Sequence, residues 1–176
     1  ESVSLSQQKV QIGRYNIPVM MKGSQRISSN NQYVDSITQK TGAKATVFQL
    51  VGNELVRVAT SVVKKDGNRA VGTSVSSDSP VFQTIMRGGT FLGKAFVVDD
   101  WYLTAYSPLY DGKRKIIGAI FVGGLMLNEE VRELITDTKI GAGYFYVYSG
   151  EGDFLIHPTS TSNIFELPNG LGAVFE

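Results

Sequence analysis

The sequence predicts an α+β domain built on an antiparallel sheet of five strands with flanking helices. Three observations predict it. The hydrophobic period switches from helical to alternating after Gly42, and the predicted elements then run helix, two strands, helix, three strands. Glycine, at 19 of 176 residues, falls between the alternating runs, where it reads as turns and strand ends. Hydrophobic residues make up 42% and charged residues 19%, enough to build a core.

Near the start, Val10–Ile12 and Ile17–Met21 suggest a short edge segment limited by Pro18. Residues 30–41 form the first helix: Asn30 or Asn31 can cap it, Tyr33, Val34 and Ile37 make its apolar stripe, and Gly42 stops it. Strands follow over 43–50 and 54–63, joined at Val51–Gly52–Asn53. Asp66–Gly67 marks a tight turn and 70–73 a loop. Ser79–Pro80 opens a helix over 81–86 that Gly88–Gly89 ends. Strands over 90–98, 101–110 and 115–122 complete the sheet, with turns at Asp99–Asp100 and Asp111–Gly112. This order is PAS-like.

Residues 1–127 make the core of the domain, and 128–176 read as a helix and hairpin packed on it. The helix spans 128–135, with Asn128 as cap and Glu129 and Glu130 in its first turn. The hairpin pairs 143–148 with 154–156 around Gly150–Asp153, and periodicity ends after Pro158.

Composition excludes several functions. A net charge of +1 shows no basic excess for nucleic acid. The longest apolar run, 116–127, is short and broken by glycines, so it does not span a bilayer. With no Cys and one His, there is no thiolate catalysis, no cysteine-ligated metal and no multi-histidine site. An enzyme would have to rest on His157 or paired carboxylates, and no P-loop follows Gly67–Gly72. No cofactor is expected. Glu1 opens a polar stretch, so an exported domain would have its targeting segment outside this sequence.

An ordered set of motifs carries a resemblance. It begins with Val34-Asp35-Ser36-Ile37-Thr38, Thr41-Gly42-Ala43-Lys44-Ala45-Thr46-Val47-Phe48 and Val56-Arg57-Val58-Ala59-Thr60-Ser61-Val62. Asp66-Gly67-Asn68-Arg69-Ala70-Val71-Gly72-Thr73, Ser79-Pro80 and Gly93-Lys94-Ala95 follow. Tyr102-Leu103-Thr104-Ala105-Tyr106-Ser107-Pro108-Leu109 leads to Ile117-Gly118-Ala119-Ile120-Phe121-Val122-Gly123. Together these resemble a Cache domain, the extracytoplasmic sensor of bacterial methyl-accepting chemotaxis receptors and sensor kinases. Gly143-Tyr144-Phe145-Tyr146-Val147 and Gly152-Asp153-Phe154-Leu155-Ile156-His157-Pro158 are similar to the start of a second such segment, as in the Cache_3–Cache_2 fusion group. The match covers about 33–158. It departs from the family in two respects: no long helix leads in before residue 30, and the second segment lacks its remaining strands.

The resemblance implies a ligand held between the sheet face and its covering loops. It further implies a homodimer, the periplasmic part of an inner-membrane chemotaxis receptor, whose loop at 70–73 or 88–93 closes on a guest. Alternation places Tyr102, Thr104 and Tyr106 on one sheet face, a hydroxyl stripe that either binds a polar ligand or belongs to an ordinary core. Arg57 and Arg69 are the candidate cations, because a guanidinium fork can hold a carboxylate. Arg57 could instead face solvent or pair with Glu54 or Asp99. Lys94 is a third cation, more naturally exposed, and Trp101 either walls the pocket or covers the sheet edge. His157 reads as structural, since the same His-Pro pair belongs to the family pattern. The expected ligand is a small organic acid or amino acid. The competing expectation is a ligand-free dimerisation module of a sensor kinase, with the sheet face filled by Phe48, Phe91, Phe96 and Phe121.

Overall fold

The computed structural model describes residues 3–127, 129–141, 143–157 and 163–166. The chain divides into two compact units, Glu1–Gly124 and Leu125–Glu176.

The first unit opens with a three-stranded sheet where the sequence predicts only a short edge segment. β1 (Val3–Ile12) pairs antiparallel with β2 (Tyr15–Lys22), and β2 with β3 (Gln25–Arg26). Polar residues alternate irregularly along β1, and a register shift lies between Leu5 and Lys9, which hides the period of two. Pro18 is tolerated inside β2 because β3 reaches only Met21 and Lys22, leaving no partner waiting for the missing N–H.

α1 (Gln32–Thr41) follows. Asn30 Oδ1 accepts the Gln32 N–H at 3.1 Å, whereas Asn31 Oδ1 accepts from Thr60 N–H and ties the helix start to the sheet. Gly42, in the left-handed region at φ 74°, donates its N–H to Thr38 O and ends the helix.

The main sheet has six strands rather than the expected five. β4 (Lys44–Val51) and β5 (Glu54–Thr60) form a hairpin, and β6 (Ser74–Val75) adds a short edge strand to β5. Two residues cannot show a period, so β6 was not legible in the sequence. α2 (Pro80–Met86) has Ser79 as N-cap, its hydroxyl accepting the Val81 N–H at 3.2 Å. β7 (Phe91–Val97), β8 (Asp100–Tyr110) and β9 (Ile116–Leu125) follow, giving the order β6-β5-β4-β9-β8-β7. The strand formed last in sequence thus sits in the middle.

One apolar cluster joins Ile12, Ile17 and Met20 from the first sheet, Val34 of α1, and Ala45, Val47, Val56 and Val58. Each Ile, Met and Val side chain in it contributes about 1.5–3 kcal/mol on burial. A second group is fully buried, with the Phe48 and Phe121 rings each in contact with Tyr106.

The second unit holds α3 (Glu129–Asp137), β10 (Lys139–Ile140), β11 (Gly143–Tyr144), β12 (Val147–Tyr148), β13 (Phe154–Ile156) and a 3₁₀ turn, Ile164–Glu166. The expected single strand over 143–148 is divided: its first part pairs with β10 and its second with β13. Phe154, Ile156 and Ile164 are buried in this unit. The Asn128 cap and everything expected of Pro158 lie outside the described residues.

Candidate functional site

The chemistry-bearing feature is a guanidinium inside the protein. Arg57 occupies the middle of β5, between buried Val56 and Val58, and pairs across the ladder with Phe48. Its residue is only 5% exposed, and its guanidinium carbon lies 5.0 Å from the Phe48 ring centroid. Nη1 donates to Thr73 Oγ1 at 2.8 Å, while Nε is buried with no hydrogen-bond partner.

Neither acid considered as its partner reaches it. The Glu54 carboxylate accepts from Tyr15 Oη at 2.6 Å and pairs with Arg14 at 3.2 Å. Asp99 Oδ2 accepts the Lys65 N–H at 2.9 Å. Among the described residues Arg57 forms no ion pair. Burial pulls its pKa down from the ordinary arginine value, partly countered by Tyr106.

Arg57 lines a cavity of about 510 Å³ together with Tyr106. Thr73, Ser74, Ser76 and Ser79 supply a hydroxyl-rich wall, and Val75, Val81, Ala95, Phe96 and Val98 an apolar one. Burial pushes the Tyr106 phenol up to about 12, so it stays a neutral O–H donor.

The hydroxyl wall is held by backbone bonds. Arg57 N–H donates to Thr73 O, Gly72 N–H to Arg57 O, and Ala70 N–H to Val62 O, each at 2.9–3.0 Å. The expectation that 70–73 is a closing loop meets a segment laddered onto β5. At 88–93, Gly88 N–H and Gly89 N–H bond back to Ile85 O and Thr84 O, finishing α2 outside the cavity wall.

Of the seven residues singled out in the sequence, two meet at this cavity: Arg57 and Tyr106. Tyr102 and Thr104 share the buried face with Tyr106, while Leu103 between them is 66% exposed. Yet Thr104 Oγ1 is committed to Gly93 O at 2.8 Å, and Tyr102 packs edge-on against Phe121. Neither lines the cavity. Arg69 is used elsewhere: it grips Asp35 through two nitrogens at 2.7 and 3.1 Å and donates to Thr60 O, tying α1 to β5. Lys94 pairs across the ladder with Leu103 on the opposite face, its Nζ 5.6 Å from the Trp101 ring centroid. Trp101 in turn stacks edge-on with Phe96. The wall hydroxyls not foreseen from the sequence are Thr73, Ser74, Ser76 and Ser79. Ser79 is legible in the sequence only as a helix start and Thr73 only as part of a loop, while Ser74 and Ser76 fall in no predicted element.

A second cavity, about 360 Å³, lies beside α1 and is lined by Tyr33, Val34, Ile37 and Val47. It is more apolar, and its cation, Lys22, is exposed. Among the described residues no group of three His, Asp or Glu side chains could hold a metal ion. No helix among them is long and apolar enough to cross a membrane.

A curled antiparallel sheet with flanking helices is the arrangement of a PAS-like α+β domain. The sequence matches the Cache 3/Cache 2 fusion domain over residues 3–175, and the chain belongs to that family. Cache domains are extracellular sensory domains and are generally not enzymes. A search of curated proteins finds no match.

Proposed function

We propose that this chain is the extracytoplasmic sensing portion of a transmembrane chemotaxis receptor, binding a small organic acid or amino acid. Arg57 carries the reading. A buried charge without a counter-ion costs the fold several kcal/mol, and a carboxylate entering the cavity would complete its hydrogen bonds and its charge. Tyr106 offers a second donor. Family membership supports the sensory role and the position outside the cytoplasm, and the working form proposed is a membrane-anchored homodimer. Signalling then follows by population shift: micromolar-to-millimolar binding supplies about 4–8 kcal/mol, of which only the difference between two states does work.

The packing of Phe48, Phe91 and Phe121 around Tyr106 favours a second reading, a ligand-free interaction module of a sensor kinase. A thermal-shift screen of the purified chain separates the two. Carboxylates should raise the melting temperature while neutral and cationic compounds do not, and Arg57→Ala should abolish the effect. A screen in which carboxylates do nothing would sink the sensor reading and leave the interaction module.

A further inference from the structure

We propose that the guest of the Arg57 cavity is a short aliphatic monocarboxylate, bearing one negative charge and no ammonium group. This rests on the ligand-binding reading above and narrows it. The decisive feature is charge count. The residues lining the cavity include one cation, Arg57, and no carboxylate. The carboxylates outside the lining are already engaged: Glu54 by Tyr15 and Arg14, Asp99 by Lys65 N–H, and Asp78 by the Ser76 hydroxyl. The side chains lining the cavity therefore carry a net charge of +1.

A guest of charge −1 brings the buried charge to zero. A zwitterionic amino acid leaves +1 in place and adds an ammonium group whose lost hydration no anionic wall group replaces. A dicarboxylate leaves −1, and its second carboxylate finds no further cation. Arg69 is held by Asp35, and Lys94 belongs to the opposite sheet face.

The walls suit the remainder of such a molecule. Thr73 already accepts from Arg57 and donates to Ala70 O, so it positions the guanidinium rather than the guest. Nη1 is taken by Thr73 and Nε is buried, so Nη2 is the guanidinium donor left for a carboxylate. Val75, Val81 and Ala95 line the space into which an aliphatic tail would extend.

The test uses the 176-residue chain, isotope-labelled and followed by NMR at fixed ionic strength. It is titrated with butyrate, 2-aminobutyrate and succinate, which share a carbon count and differ in charge. Butyrate is expected to give saturable shifts at Thr73 and Ala95 with affinity at least about tenfold above the other two. Those shifts should vanish in Arg57→Met. If Arg57→Met loses its dispersed spectrum, Arg57→Lys decides instead, with butyrate weakened about tenfold because the planar fork is gone. Arg57-dependent binding of 2-aminobutyrate or succinate as tight as butyrate overturns the charge argument while leaving the carboxylate site standing. No saturable shift from any of the three, or butyrate shifts unchanged in the Arg57 variants, overturns both.

Discussion

Arg57 illustrates how a single side chain can be costly to the fold and useful to the molecule. Replacing a buried, unpaired charge by an apolar group of similar length is neutral or stabilising in other proteins. Thr73 keeps its bond to Ala70 O when the guanidinium goes. Arg57→Met is therefore expected to leave the ligand-free urea midpoint unchanged or raised, even as carboxylate binding disappears. A fall of more than about 2 kcal/mol would show that Arg57 is a structural member of the sheet. Asp66 behaves oppositely, as an exposed group whose ionised form the fold favours. The Lys64 ammonium and the Asn68 N–H hold its carboxyl at about 2, below the ordinary 3.8. A lowered acid pKa contributes stability that is complete above 3.8 and lost as pH falls through about 2. Asp66→Asn should then lower the urea midpoint near neutral pH, with the gap to the parent closing as the pH approaches about 2. A gap independent of pH would mean the turn does not depend on the charge.

The central pair β4 and β9 decides the sheet, and its tightest point is Gly118. A Cβ built there would lie 2.0 Å from the Phe48 carbonyl oxygen and 3.2 Å from the Met20 side chain. Backbone cannot yield as a side chain tip can, so Gly118→Ala should cost about 3 kcal/mol or more, measured by urea unfolding. A midpoint within error of the parent would contradict the close approach. Elements of this length were legible in the sequence because seven or more residues display a period: β4, β5, β7, β8, β9, α1 and α2 fall where alternation and capping place them. The N-terminal sheet was underestimated because β1 buries only Ile12 fully, leaving little apolar alternation to read. β6 is two residues long, and its position depends on pairing with β5, which lies outside any local window. The same limit hid half of the cavity. Arg57 was conspicuous as a charge within an apolar strand, and Tyr106 as part of an alternating stripe. Thr73 and Ser74 become wall residues only through β6 pairing, whereas Arg69 and Asp35, 34 positions apart, find each other only through tertiary packing.

Within the first unit, the cavity wall is joined to the N-terminal hairpin, and this gives binding a route beyond the site. Gly72, at φ 83°, packs so closely on the hairpin turn that a Cβ would lie 2.9 Å from Gly13 Cα. Beside it, Ser74 Oγ donates to Glu54 Oε1 at 3.2 Å, and Tyr15 Oη donates to Glu54 Oε2 at 2.6 Å. Ser74 lines the cavity, and Tyr15 begins β2. A guest that braces Arg57, and through it Thr73, thus stiffens a wall whose back is the hairpin tip. A ligand at a hundred times its Kd stabilises the bound form by about 2.7 kcal/mol, enough to slow local opening about a hundredfold where opening and binding are exclusive. Hydrogen exchange with saturating butyrate should accordingly show slowed amides at 72–75 and also at 12–16. In the double variant Arg14→Ala/Tyr15→Phe the response at 72–75 should persist while that at 12–16 shrinks, because both links from the hairpin to Glu54 are then cut. Protection confined to 72–75 in the parent chain would mean that the hairpin is a passive support, and that any signal leaves the domain by another path.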